Sequence, residues 1–329
     1  MLSPIVLFVY NRPFHTNKTL ESLAKNDLIQ DSILYVFCDG PKSDNPALVK
    51  AVAEVRKLVN AVDFVKELHV VENTENKGLA NNIISGVTEV VEKHGKVIVL
   101  EDDMITSPGF LTYLNQSLDL YQDEKQVMHI SAYYPKTSVD LPETFFYNVT
   151  SCWGWGTWDR AWKNFNPNMH ELNKALNEIP DLDLRTFNGG QKNLYYDQIV
   201  QNLEGAKKTW AIKWHTSVFL NKGFSLHPRY SLVTNIGHDD SGENSWSDNP
   251  FQENTLTDTI KVSETPIIEN KRAIFAAEKV YKQGLKSKLT KMFPAYLKDK
   301  IKTLSNANLR REYFEKRRLY AHPRFLKGQ

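Results

Sequence analysis

Cysteine is nearly absent. Cys38 and Cys152 alone cannot make a disulfide framework, so a reducing, cytoplasmic setting is the default expectation. Long apolar runs are missing too: no stretch reaches the ~18 residues that a spanning helix needs. No basic region precedes the apolar segment Ile5–Tyr10, which gives way at once to Asn11-Arg12, so it reads as a first strand rather than a secretory signal. The sequon Asn148-Val149-Thr150 therefore carries little meaning. Internal repeats and low-complexity tracts are absent. No zinc-finger, RRM or helix-turn-helix pattern occurs, and nucleic acid is not expected as a partner.

What remains is the composition of a soluble globular protein, 41% hydrophobic and 24% charged over 329 residues. The net charge of +2 hides a division. Residues 271–329 hold 17 Lys and Arg against 4 Asp and Glu, whereas residues 1–270 hold 24 against 35. The totals, +13 and −11, describe an acidic body with a basic appendage suited to an anionic partner.

The first 131 residues alternate strand and helix. Strands are expected at Ile5–Tyr10, Ser32–Cys38, Lys66–Val71, Val97–Leu100 and Val127–Ser131. Helices fit Thr16–Lys25 with Thr16 as cap, Pro46–Asn60 capped by Asn45, about 79–93, and Pro108 to about Tyr121. Such alternation implies an α/β fold with a mostly parallel, helix-covered sheet. From about 145 to 265 the pattern loosens and aromatics concentrate. This part reads as the substrate-facing continuation of one domain (1–270, in halves 1–131 and 132–270), followed by a basic helical extension, 271–329.

The strand Val97–Leu100 runs directly into Glu101-Asp102-Asp103. Three adjacent carboxylates at a strand's carboxyl end repel one another unless a cation or hydrogen-bond donors offset the charge. Open α/β sheets bind ligands at that edge, so a divalent metal holding a nucleotide's phosphates is the natural occupant; the plain alternative is a solvated acidic turn. Asn76-Lys77-Gly78 opens a helix, where Lys77 and the helix N-terminus favour a phosphate, although no Walker pattern is present and such loops are common turns. In Ser151-Cys152-Trp153-Gly154-Trp155-Gly156-Thr157-Trp158, glycines separate the tryptophans. Trp153 and Trp155 are candidates for a wall against a sugar's C–H face, while Trp158 and Trp162, four apart on an expected helix, suit core packing. Gly237-His238-Asp239-Asp240-Ser241-Gly242 is a glycine-bracketed loop, either merely solvated or a lid whose His238 meets a diphosphate or metal. His215 and His227 read as structural.

Pro4–Arg12, Phe37-Cys38-Asp39-Gly40 and Val99–Asp103 with Ser107-Pro108-Gly109-Phe110 resemble the nucleotide-binding half of GT-A glycosyltransferases, in particular the N-acetylglucosaminyltransferase I type and its bacterial relatives. The resemblance covers roughly residues 3–240. It implies a GT-A, Rossmann-like sheet and a metal-dependent, inverting glycosyltransferase. The nucleotide-sugar donor is expected to be UDP-linked, and the acceptor a glycan or lipid-linked molecule. It also implies Arg12 and Asp39 at the base and ribose, Glu101 and Asp102 at the donor sugar and ribose hydroxyls, Asp103 as ligand of Mn2+ or Mg2+, and Asp197 of Tyr195-Tyr196-Asp197-Gln198 as catalytic base. Arg12 has an alternative as a surface ion pair, Asp39 as a turn residue and Asp197 as a helix N-terminal acid.

Two other classes compete. A sugar nucleotidyltransferase usually carries a Gly-rich loop after its first strand, where Asn11-Arg12-Pro13-Phe14 stands here. A non-catalytic carbohydrate-binding protein would explain the tryptophans but not the carboxylates. In the extension, Leu285, Leu289, Met292, Phe293, Tyr296, Leu297, Ile301 and Leu304 form one helical stripe flanked by lysines, with a kink expected at Pro294. Such a helix suits either an anionic membrane surface, peripheral on the inner face of the cell membrane, or packing on the acidic body.

Overall fold

The computed structural model describes residues 1–191, 193–239 and 256–292, with side chains to residue 282 in the last segment. The remainder of the glycine-bracketed loop from Asp240, Trp246, and the extension beyond Met292 with Pro294 lie outside the described residues, as do the side chains of Leu285, Leu289 and Met292.

The chain begins β1 (Ile5–Val9), α1 (Pro13–Leu23), β2 (Ile33–Cys38), α2 (Pro46–Asn60), β3 (Glu67–Glu72), α3 (Leu79–His94) and β4 (Lys96–Glu101). It continues with β5 (Met104–Thr106), α4 (Phe110–Leu120), β6 (Val127–Ser131), β7 (Thr144–Phe146), β8 (Trp155–Trp158) and α5 (Asp159–Trp162). Then come α6 (Met169–Asn177), α7 (Leu184–Phe187), α8 (Leu194–Leu203), α9 (Ala211–Leu220), β9 (Phe224–Pro228), β10 (Val233–Asn235) and α10 (Lys271–Met292). Asn45 caps α2 as expected, its side chain accepting from Ala47 N. Thr16 does not cap α1. Pro13 takes the first helical position and Arg12 the N-cap, because proline's fixed φ and missing N–H suit that place; Thr16 is buried one turn inside.

Eight strands form one sheet in the order β3-β2-β1-β4-β8-β6-β9-β7. The first four are mutually parallel, β8 runs antiparallel between β4 and β6, and β7 is antiparallel to β9. This is a mostly parallel, Rossmann-like α/β sheet, consistent with a GT-A fold. Strands β1, β6 and β8 are buried along their whole length, as a sheet covered on both faces requires. A separate two-stranded sheet pairs β5 with β10, Asn235 opposite Met104.

The loosened region holds order that periodicity did not reveal. β8 has the sequence Trp155-Gly156-Thr157-Trp158, and a short strand buried on both faces shows no alternation. Trp158 thus ends a strand rather than lying on a helix with Trp162, although both are core residues as expected. Trp155 is 0% exposed and forms the hub of an aromatic cluster. Its ring stacks on Trp210 at 5.5 Å and His129 at 5.2 Å. Trp214 Nε1–H donates to His129 Nδ1 at 3.0 Å, leaving Nε2–H to donate to Ser151 O at 3.0 Å. Burial pulls the His129 imidazole down to about 3, so it is neutral here. The glycines around Trp155 admit neighbours instead of clearing a sugar platform: a Cβ on Gly156 would press on Leu118.

Because Trp155 supports β8 between β4 and β6, Trp155→Ala is expected to cost about 3–5 kcal/mol of unfolding free energy. Urea denaturation followed by far-UV circular dichroism measures it. A loss under about 1 kcal/mol, typical of a surface site, would contradict the core assignment.

Candidate functional site

The pairing of β1 with β4 sets Phe8 beside Glu101, so the residues just beyond both strands meet above the sheet's carboxyl edge. There Arg12 forms ion pairs with Asp102 and with Asp103 at 2.9 Å. The Arg12 guanidinium is partly buried, which opposes its charge, but the two carboxylates outweigh this and hold it firmly protonated. Burial, reinforced by Asp103 and Asp102, pushes the Glu101 carboxyl up. Asp102 is also raised by burial, and Arg12 partly restores it.

Helix α1 braces this acidic turn through polar residues on one face. Thr19 Oγ1 donates to Asp102 O at 2.8 Å and accepts from Met104 N at 3.1 Å. Ser22 Oγ accepts from Thr106 N at 3.1 Å, and Asn26 bonds both Thr106 Oγ1 and Leu111 N. Across the turn, β10 delivers Asn235, whose amide donates to Asp103 Oδ1 at 3.2 Å, and Ile236 N donates to Asp103 O at 2.9 Å. None of these partners stands out in sequence, since an isolated Thr, Ser or Asn on a helix, past its end or on a short strand reads as a neutral surface residue.

The turn opens into a cleft of roughly 820 Å³, large enough for a nucleotide-sized ligand. Its lining includes Arg12, Asp39, Glu101, Asp102, Asp103, Trp153, Asp197 and His238. Two expected residues are not there. Trp155 is enclosed in the core, so the sugar wall expected of it cannot form. Lys77 has an exposed side chain outside the cleft, and its backbone N–H donates to Asp39 Oδ1 at 2.8 Å. Gly78 N donates to Asp39 Oδ2 at 3.0 Å and Gly40 N to Oδ1 at 3.0 Å. The anion at the N-terminus of α3 is thus the protein's own Asp39, not a phosphate. Asp39, expected to accept from a base, already accepts three backbone N–H bonds and knits the loop after β2 to the loop after β3.

Trp153 does stand in the cleft wall, with Tyr133 at 4.5 Å and His238 at 5.4 Å between ring centroids. Burial lowers the His238 imidazole, while Asp103 and Asp239 pull it the other way. Asp239 pairs with His15 Nε2 at 3.1 Å, which ties the described start of the loop to α1. On another wall, Asp197 sits in the first turn of α8 beside Gln198 and Tyr195. Tyr281 of α10 also lines the cleft; burial first and then the charge of Asp197 raise its phenol. His215 Nε2 lies 2.8 Å from Phe187 O, and His227 lies between the carbonyls of Tyr133 and Val149, structural placements for both.

Among cleft residues, Arg12 Nη1, Thr150 Oγ1, Gln191 Oε1 and Gln201 Oε1 are buried without a hydrogen-bond partner. Unpaired buried polar atoms are costly, which sets these four apart from the other polar groups of the cleft. Neither thiol favours the thiolate: burial pushes Cys38 up to about 12, and Cys152, in the cleft lining, is raised by burial and Glu101. Among the described residues, no three His, Cys, Asp or Glu side chains converge into a metal cage. Asp103, whose carboxylate is held by Arg12 and Asn235 at the mouth of the turn, is the residue there that could ligate a hard divalent cation.

No protein-family model matches the chain, and no curated protein matches it. Among solved structures, S. aureus TarS aligns with a TM-score of 0.33 and 14% identity over 53% of this chain and 30% of that one. Its 1–349 fragment aligns at 0.33 and 14% over 48% and 47%, and the same fragment in complex with UDP at 0.29 and 16% over 43% and 38%. The match spans less than half the length of each of these structures. A likeness this weak identifies neither a family nor a ligand.

Gly237 lies against the acidic turn, where an added Cβ would overlap the Asp103 carboxylate and crowd Arg12 Nη1. Its φ is outside the left-handed region, so alanine is otherwise permitted and would usually stabilise by about 0.4–1 kcal/mol. Gly237→Ala is instead expected to destabilise by about 1–3 kcal/mol through overpacking. Thermal melting decides the sign, and a raised melting temperature would refute this close packing.

Proposed function

We propose that the protein is a glycosyltransferase that moves a sugar from a nucleotide-diphospho-sugar, expected to be UDP-linked, to a glycan or lipid-linked acceptor. The observation that carries this reading is the Glu101-Asp102-Asp103 turn at the carboxyl end of β4, opening into a cleft that also contains Asp197. In the reading, Asp103 holds Mn2+ or Mg2+, which when bound supplies Lewis-acid stabilisation to the departing diphosphate. Arg12 offsets the charges of Asp102 and Asp103 in the free protein, and its unpartnered Nη1 offers a donor to a diphosphate oxygen. Glu101 and Asp102 face the donor's hydroxyls, and Trp153 packs against a sugar face.

Asp197 accepts the proton of the acceptor hydroxyl as that oxygen bonds to the anomeric carbon. The bond from that carbon to the diphosphate breaks, and the leaving group keeps the electron pair. Attack opposite the leaving group inverts the anomeric centre. Thr150, Gln191 and Gln201 have acceptor atoms for sugar hydroxyls.

Asp103→Ala is expected to abolish both transfer and Mn2+-dependent UDP binding while leaving the circular dichroism spectrum unchanged. Calorimetric titration of UDP with Mn2+ is the check, and wild-type affinity in the variant would remove Asp103 from the metal site. Asp197→Asn is expected to lower turnover by about 10²–10⁴-fold with donor affinity unchanged. If the variant keeps more than about a tenth of the rate, well above the loss expected of a positioned base, the base lies elsewhere, with Asp239 and Asp240 next in line.

A further inference from the structure

The start of α10 has two faces of different chemistry. Ala273, Ala276 and Ala277 are buried, and Ala273 and Ala277 pack with Tyr134, Phe145 and Tyr147; Tyr134 Oη–H donates to Ala273 O at 2.6 Å. The basic extension is thus anchored to the body by its small residues. The opposite face is exposed. Among the side chains described for this helix, the exposed ones are Lys271, Arg272, Phe275, Lys279 and Lys282. Residues 271, 275, 279 and 282 follow the 4, 4, 3 spacing of a single helical stripe. Phe275 is 61% exposed, and Ile268, three residues before the helix, is 69% exposed.

No carboxylate on this helix neutralises the stripe as a whole. Segment 271–292 holds seven Lys and Arg against Glu278 alone, and Glu278 is already shared by Lys282 at 2.7 Å and Arg185 at 3.1 Å. Repulsion among the remaining cations is screened by water and salt, and a surface of fixed anions would relieve it further. The nature of that anion follows from the apolar members. An anionic bilayer takes both kinds of group, with cations at the lipid phosphates and Phe275 and Ile268 in the boundary below them. A soluble polyanion would engage the cations and leave the two apolar side chains in water.

We propose that this face of α10 docks the protein on an anionic phospholipid bilayer. The inward side of the same helix contributes Ala277 and Tyr281 to the cleft lining, so docking holds the cleft beside the headgroup layer. This location suits a lipid-linked acceptor if the transferase reading holds, but the docking itself does not depend on that reading.

The test is sedimentation of the full chain with phosphatidylcholine vesicles, with and without phosphatidylglycerol, which needs no turnover. The wild type is expected to sediment with the anionic vesicles alone, and less so as salt rises. Lys271→Glu/Arg272→Glu/Lys279→Glu is expected to lower partitioning at least about tenfold. Phe275→Ser is expected to lower it several-fold, and all four positions are exposed, so melting temperatures should stay at the wild-type value. Equal partitioning of the charge-reversal variant and wild type would overturn the proposal, as would equal binding to neutral vesicles. Binding to soluble RNA as tight as to anionic vesicles at equal phosphate concentration would overturn it too, and assign the face to a polyanion.

Discussion

Glu101, Asp102 and Asp103 follow one another at the end of a buried strand, where desolvation and the charge of neighbouring carboxylates work against the ionisation of Glu101 and Asp102. Much of the surrounding architecture offsets that strain. Arg12 supplies a guanidinium because β1 and β4 are neighbours in parallel register. Thr19 fixes the backbone of the turn from α1, and β10 brings Asn235 to Asp103 from the other side. A turn braced from three directions keeps its carboxylates in one geometry, which is what a site needs if it is to bind charge without reorganising.

The cleft is assembled from segments far apart in the chain. The carboxyl ends of β1, β2 and β4 provide one part, Trp153 and the segment near His238 another, and α8 a third. Behind them, a dense aromatic cluster around Trp155, Trp162, Trp210 and Trp214 fills the space between β8 and α9. The neighbouring tryptophans Trp153 and Trp155 thus have opposite fates: one ring meets Tyr133 and His238 at the cleft, the other is sealed in the core. Gly154, with φ of 60°, makes the turn that separates them and packs against Phe110.

Helix α10 joins the cleft to the protein's outer surface. Its alanines allow close approach to the aromatic residues of 134–147, which is why a helix rich in lysine can pack at all on this body. Among its described side chains, Lys271, Arg272, Lys279 and Lys282 are exposed. Among the described residues, no helix is long and apolar enough to cross a membrane.

Local patterns in the sequence carried the βαβ half of the fold. Asn45-Pro46 marked the start of α2, the helical spacing of Leu48, Val49, Val52, Val55, Leu58 and Val59 marked its apolar side, of which Val52, Val55 and Val59 are buried, and the apolar run before Glu101 marked β4, because each signal is complete within one segment. The acidic turn was legible for the same reason: its residues are adjacent. Pairwise geometry was not. That Arg12 would sit on Asp102 and Asp103, that Asp39 would occupy the N-terminus of α3 in place of a phosphate, and that Trp155 would be core rather than wall depended on strand order. The short strands β5 and β7 to β10 escaped for a related reason, since strands of three to five mostly buried residues carry little periodicity and depend on pairing with segments distant in sequence. Composition and adjacency therefore determined which chemistry this chain contains; tertiary structure alone decided which charges meet, because contacts between residues ninety positions apart are set by sheet register and not by sequence spacing.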